Sequence, residues 1–439
     1  MKSWIYALSI TIVATLLTAC GKSEPQDAEP KASSAEPVTL TFYQHASISD
    51  AEIEKFVVEP VKKKYPHISF NVIRNGTDTK PEMLIAGGIV PDLIYTTNHE
   101  IVLWRDLKVP EDLNELTKTY KMDLSKFEPN IMDSIITYSG GDGKRYGIPV
   151  MQNIAAMFYN KTIFDKFAAK YPNDLMTWNE VMALARKVTA TDGGVQYVGL
   201  ALESISRTAF SLSLPYMNPT TQKAAIHNDS WKKVYSLMKE TIDIPGYRGT
   251  TNKFRYNLVN DFYKTGNVAM ATEYVPDAIS NVDWKAAETI DWDIVSLPNF
   301  EGETGTSRVV APHVMMINSQ SKQKDSAFKA ISVFASDEVQ TELNKNGKIS
   351  ALTHIVNNSK EYASYLPTFK GKNVTGIFKA KPRKIHSPIT EYDALVRSAI
   401  DGSINDLAAG KDMNTILRET EEKANKSVES AIAAKGNAK

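Results

Sequence analysis

Lys144-Arg-Tyr-Gly-Ile-Pro-Val-Met-Gln-Asn-Ile-Ala-Ala-Met-Phe-Tyr-Asn-Lys-Thr-Ile-Phe164 runs from a turn through two extended segments into a helix start. The turn lies in Gly140-Gly-Asp-Gly-Lys-Arg-Tyr-Gly147. Ile148–Asn153 reads as extended, 155–159 as a strand, and 162–169 has the apolar spacing of a helix. Thr177-Trp-Asn-Glu180 is a capping box, in which the Thr hydroxyl and the Glu carboxylate each take an end amide of the helix. It predicts a helix that turns Val181, Met182, Leu184, Ala185 and Val188 inward. Trp178, Phe164 and Phe167 read as core.

Toward the N-terminus, 38–43 alternates as a strand does. Ser49-Asp-Ala-Glu52 is a second capping box, followed by the face Ile53, Phe56, Val57 and Val61. Pro60 predicts a kink or an early stop, since it lacks an amide hydrogen. The segment 68–73 is the next strand, and strand–helix–strand predicts a parallel pair with a right-handed crossover. Pro81–Ala86 predicts a short helix closed by Gly87-Gly88, and 91–96 a third strand. This is the opening of a doubly wound sheet, whose ligands lie outside the C-terminal strand ends, here 43–46 and 95–100.

Toward the C-terminus, 262–270 reads as a helix end, a glycine stop and a strand. A strand is predicted at 292–298, and one broken by Pro312 at 309–317. Ala327, Phe328, Ile331 and Phe334 mark a helix face, and 392–400 and 412–433 close the chain as helices.

The first residues have the pattern of a targeting segment. Met1-Lys2 precedes an apolar run, 5–17, shorter than the roughly 20 residues a membrane span needs. Leu17-Thr-Ala-Cys20-Gly21 follows and resembles the lipobox of bacterial lipoproteins, which implies a signal peptide over 1–19 and a diacylglyceryl-modified Cys20. Cys20 is the only cysteine, so neither a disulfide nor thiolate chemistry is expected in the folded part. Residues 20–37 carry almost no large apolar side chain and predict a mobile tether, placing a folded body outside the membrane.

About 400 residues remain, more than one comfortable core, which predicts two domains. The 51 basic and 51 acidic residues leave no footprint for nucleic acid and no overall push toward an anionic ligand. Enzyme signatures are missing too: no Gly-x-Ser-x-Gly elbow, phosphate-binding loop or His-Glu-x-x-His occurs. No cofactor motif is seen. His45 and His99 lack the spacing of a metal site, and Asp142-Gly-Lys lacks the oxygens of a calcium loop.

The order of these elements resembles the family 1 extracellular solute-binding proteins, relatives of maltose-binding protein, over about 38–433. The stretch 144–164 with Thr177-Trp-Asn-Glu180 carries most of the likeness. Gly87-Gly-Ile-Val-Pro-Asp92, 262–270 and 402–419 add to it. The resemblance implies an α/β periplasmic-binding-protein type II-like fold: two doubly wound lobes joined by a hinge. It puts lobe one at 38–151 plus 273–317 and lobe two at 152–272 plus 318–439. The three crossings fall near 150–153, 271–274 and 317–319. It further implies a monomeric receptor without enzymatic activity. Such a receptor clamps a small solute, typically a sugar, between its lobes and passes it to ABC permease subunits in the membrane. A peptide or another non-sugar cargo stays open, and composition alone does not remove a carbohydrate-active enzyme.

Sugar recognition needs aromatic faces for ring C–H surfaces and polar side chains for hydroxyls. The candidates on lobe one are Gln44 and His45 after the first strand, then Thr97, Asn98 and Glu100 after the third. Gln152, Asn153, Glu273 and Tyr274 are candidates at the crossings; relatives carry an aromatic near the last of these, though in a different local run. Glu203, Arg207, Tyr216 and Tyr392 follow from lobe two, with Arg308 and His313 leading to the third crossing and Arg383 before the late helix.

Overall fold

A computed structural model describes residues 36–282 and 290–437. Cys20, the signal segment and most of the tether lie outside the described residues, as does Trp284, which the sequence leaves open between core and ligand contact.

The first three strands form as the alternation predicts. Val38–Gln44 pairs in parallel with Ile68–Arg74 on one side and Leu93–Thr97 on the other. Ala311–Ile317 then inserts antiparallel between Leu93–Thr97 and Ile148–Asn153, completing a five-stranded sheet. A separate three-stranded sheet has Ala155–Asn160 at its centre, antiparallel to Met270–Tyr274 and Trp292–Ser296. Only Ile154 separates the strands that the chain places in different sheets.

Each sheet has its own apolar packing. Leu40, Phe42, Val57, Phe328 and Ile331 bury against one face of the five-stranded sheet, and Tyr43, Trp104, Ile131 and Val314 against the other. Phe158, Trp231, Phe262, Trp292 and Ile400 belong to a second core around the three-stranded sheet. The two cores stay in contact, and 37–439 forms one continuous unit.

These cores correct the boundaries drawn from the sequence. Val275, Ile279 and Trp292 lie in the second core, so 273–297 does not belong with the first sheet. The helices Lys324–Phe334 and Asp337–Lys345 pack on the first core through Phe328, Ile331, Val339 and Leu343. The passages after the first therefore fall later than 271–274 and 317–319. One lies between Leu297 and Ala311. The other lies between Ile355 in the first core and Tyr362 in the second. An amphipathic helix fits either core equally well by pattern, and only its docking decides.

Both capping boxes are made. Ser49 Oγ accepts from the Glu52 amide at 3.3 Å while Glu52 accepts from the Ser49 amide at 2.8 Å. Thr177 and Glu180 do the same at 3.2 and 2.7 Å. Pro60 does not end its helix: a wide π turn over Glu54–Val58 precedes it, and the helix continues to Lys64. The widened turn absorbs the missing amide bond. Pro312 does not break its strand either. The break is at Val310, whose amide donates to the Arg383 carbonyl, while Pro312 pairs with Gln152 beside a register shift. A bulge is where a sheet tolerates proline.

Candidate functional site: a polar cluster between the two cores

Strand pairing assembles the site. Ala201 bridges Ala271, with its amide on the Met270 carbonyl, which carries the chain toward Glu203 beside Glu273 at the end of Met270–Tyr274. Ser204 then caps the helix Ile205–Ala209, and Arg207, four residues after Glu203, returns to it. Arg308 enters from the strand Thr306–Val309.

One carboxylate serves two guanidiniums. Glu203 takes Arg207 Nη1 at 2.6 Å on one oxygen and Arg308 Nη2 on the other. Arg207 Nη1 also reaches Glu273 at 3.1 Å. Both guanidiniums lie over the Tyr274 ring, at 5.2 and 5.0 Å from its centroid. Tyr274 is 5% exposed, so it offers no open ring face in this state. The stacking surface implied for it is occupied by the protein's own cations.

The ionisation pattern follows from enclosure. Burial opposes the charge on Glu203, but Arg308 and Arg207 outweigh it and hold its pKa below the ordinary value. Glu273 goes the other way, pushed up to about 8 by burial and then by the Glu203 carboxylate. At neutral pH Glu273 is mostly protonated beside an ionised Glu203. Asp277 is raised as well, by burial first.

A buried relay adjoins this cluster. Asn153 Nδ2 donates to His313 Nε2 at 3.3 Å, and His313 Nδ1 meets the Tyr95 hydroxyl at 2.7 Å. Burial pushes His313 down to about 3, so it is neutral, and the network puts its proton on Nδ1. Asn153 Nδ2 also faces Asp277 Oδ2 at 3.5 Å, while its Oδ1 is buried without a partner.

On the first-sheet side, Trp104 Nε1 donates to His45 Nδ1 at 3.2 Å, leaving the His45 proton on Nε2. Glu100 receives His99 at 3.3 Å; that bond lowers its pKa to about 2 against the opposing effect of burial. Arg397, from the helix Asp393–Gly402, helps to lower Glu100 and also acts on Tyr216 and Asp393. It thus stands between groups from both halves.

Several candidates have internal duties instead. Gln44 Nε2 donates to the Ala46 carbonyl, and Thr97 Oγ1 contacts the His99 ring. Asn98 is buried and bonds Ser134 and the Val310 carbonyl, and Gln152 Nε2 bonds the Ser350 carbonyl at 2.9 Å. Arg383 pairs with Glu303 and Thr306, and Tyr392 packs against the second core. Tyr216 is buried beside His386, its hydroxyl without a partner.

The sequence reading missed Asp277, Asp393, Arg397 and Lys348, whose charge acts on Asp277 and His313. Asp393 and Arg397 are four apart on one helix, next to Tyr392, and that spacing was a usable signal. Lys348 had none. A depression of about 470 Å³ bordered by Arg186, Lys232, Glu240 and Asp243 lies elsewhere on the second core. Its charges pair with one another at the surface, Arg186 with Glu240 and Lys239 with Asp243, so the enclosed cluster is the better candidate.

Residues 45–341 match the family described as bacterial extracellular solute-binding protein. The chain belongs to this family. Its members and structural neighbours are binding proteins. A multiple sugar-binding protein of Streptococcus mutans is 26% identical over 41% of this chain and 40% of its own length. An arabinooligosaccharide-binding protein of Bacillus subtilis is 26% identical over 55% of each. Among solved structures, an ABC substrate-binding protein of Listeria monocytogenes in complex with cycloalternan superposes with TM-score 0.70 at 19% identity, covering 89% of this chain and 99% of that one. The sugar-binding protein MalE of Xanthomonas citri gives 0.70 at 16%, covering 90% and 99%. These likenesses establish the type II periplasmic-binding-protein fold for this solute-binding chain.

Proposed function

We propose that this protein is the extracytoplasmic receptor of an ABC importer, that it closes on a sugar or oligosaccharide between its two halves, and that permease subunits read the closed form. The observation that carries the proposal is the charged cluster of Glu203, Arg207, Glu273 and Arg308 on the second core, beside the contact of Asn153 from the first sheet with Asp277 of the helix Val275–Asn281 at 3.5 Å. Groups from both halves meet beside it, so a solute that touches both favours the closed arrangement by its difference in affinity. Sugar-binding relatives of the same family support the cargo class. A lipid on Cys20 would hold the receptor at the membrane, and mass spectrometry of the mature protein tests it.

Binding without turnover is the expected chemistry. Glu273 is in hydrogen-bond contact with Glu203. Glycosidase carboxyl pairs stand roughly 5–5.5 or 6.5–9.5 Å apart to leave room for the sugar carbon or water. A thermal-shift screen against a glycan library tests the reading, since a ligand at 100 times its Kd adds about 2.7 kcal/mol. Release of shorter sugars from any hit would overturn the receptor assignment.

A further inference from the structure

The overall charge is balanced, but the charge inside the cluster is not. Arg308 is 3% exposed, and its Nε and Nη1 have no protein partner. Its Nη2 alone is paired, and that pair is shared: the same Glu203 carboxylate also serves Arg207. Glu273, the other carboxyl in contact, is held protonated at neutral pH by burial and by Glu203. Arg207 and Arg308 therefore share the single Glu203 carboxylate, and two of Arg308's three nitrogens are left without an acceptor.

Such an arrangement is costly unless something completes it. A buried donor without an acceptor costs about 1–3 kcal/mol, and more when charged. Nε and Nη1 lie on different edges of the planar guanidinium, each edge shared with Nη2. Glu203 takes Nη2, so the other N–H of Nη2 and the free group beside it still offer one two-donor edge to the two oxygens of a carboxylate. A sugar hydroxyl can accept from the guanidinium but leaves the excess charge in place. A carboxylate supplies the acceptors and the missing negative charge together. Arg308 is enclosed in this state, so an anion enters while the halves are parted and is trapped as they close.

We infer that the solute carries a carboxylate, as in a uronic-acid-containing oligosaccharide, and that this group docks on Arg308 with Arg207 beside it. The inference rests on the receptor reading above and narrows its cargo.

Calorimetry and thermal shift on the intact protein, with three sets of probes, test it: neutral oligosaccharides, oligosaccharides of the same length ending in a uronate, and short carboxylates lacking sugar. The expected result is at least tenfold tighter binding of a uronate-ended sugar than of its methyl ester. That comparison uses the unaltered protein, so it does not depend on any variant folding. Arg308→Gln should erase the preference, and Arg207→Gln, at a more exposed position, should reduce it. Equal binding of acid and ester, or hits confined to neutral sugars, overturns the carboxylate inference and leaves the sugar receptor standing. Hits confined to non-sugar carboxylates uphold Arg308 as an anion site and overturn the sugar reading. No response with any set overturns both.

Discussion

Lys348 Nζ stands 2.9 Å from Glu52 Oε1, the same carboxylate that closes the capping box on Ser49. The ammonium also reaches Ser280 Oγ and, at 3.5 Å, the Pro276 carbonyl. Glu52 opens a helix of the first core, through Ile53, and Pro276 and Ser280 lie on the helix Val275–Asn281 of the second, through Val275 and Ile279. One buried cation thus ties the two halves.

Removing that cation should be expensive. Lys348→Met leaves Glu52 half-enclosed without its partner, and breaking a buried pair typically costs about 3–5 kcal/mol. The exposure of Glu52 places the expected loss at the lower end, about 3 kcal/mol in urea unfolding. The double variant Glu52→Gln/Lys348→Met should recover part of it. A single variant as stable as the parent would show that the pair contributes nothing.

Tyr274 should behave as a core residue before it behaves as a ligand contact. It packs with Ala155 and Leu297 and carries two guanidiniums over its ring. Truncation to Ala is expected to cost about 3 kcal/mol in the ligand-free protein. Tyr274→Phe should change stability by less than about 1 kcal/mol, because the ring and its cation contacts remain. Matching losses for both variants in chemical denaturation would contradict this.

Glu273 sets a pH limb. Its pKa is raised from 4.5 to about 8, so the folded protein keeps a proton that the unfolded chain releases. The stability tied to this proton is complete below pH 4.5 and drains as pH rises through 8. A tenfold gain in proton affinity is worth about 1.4 kcal/mol, less here because the side chain is partly exposed. Between pH 5 and 9 the Tm of the parent should fall more steeply than that of Glu273→Gln; parallel curves would count against a protonated Glu273. His313, pushed from 6.5 down to about 3, works on the acid side, its contribution present above 6.5 and lost toward 3.

Gly199 tolerates no side chain. A Cβ there meets the backbone Cα, C and O of Ala185, near the end of the helix Trp178–Val188. Backbone cannot step aside as a side-chain tip can, so Gly199→Ala should cost about 3 kcal/mol or express poorly. A soluble variant with an unchanged urea midpoint would show that the helix end moves freely.

Local signals were legible wherever neighbours in sequence decide the conformation. Ser49–Glu52 and Thr177–Glu180 cap helices because the three-residue spacing puts each side chain on the other's amide. The parallel start of the first sheet followed from strand–helix–strand order. Of the site, Glu273, Tyr274 and Arg308 were nameable as polar or aromatic residues at or before crossings, and Glu203 and Arg207 as polar residues of lobe two. Their mutual pairing was not, because Glu203 and Arg308 are 105 positions apart. Lys348 looked like any surface lysine until two helices closed over it.

By itself, the sequence determined the α/β alternation, the helix ends, the lack of cysteine chemistry in the folded part and the family. Each is written in spacing over a few residues or in the order of such spacings. Only the tertiary structure decided which core takes the helices after Ile317, where the chain passes between cores, and how the enclosed charges ionise. Those depend on docking and desolvation between distant segments, and an amphipathic stripe or a lone arginine does not say what it will meet.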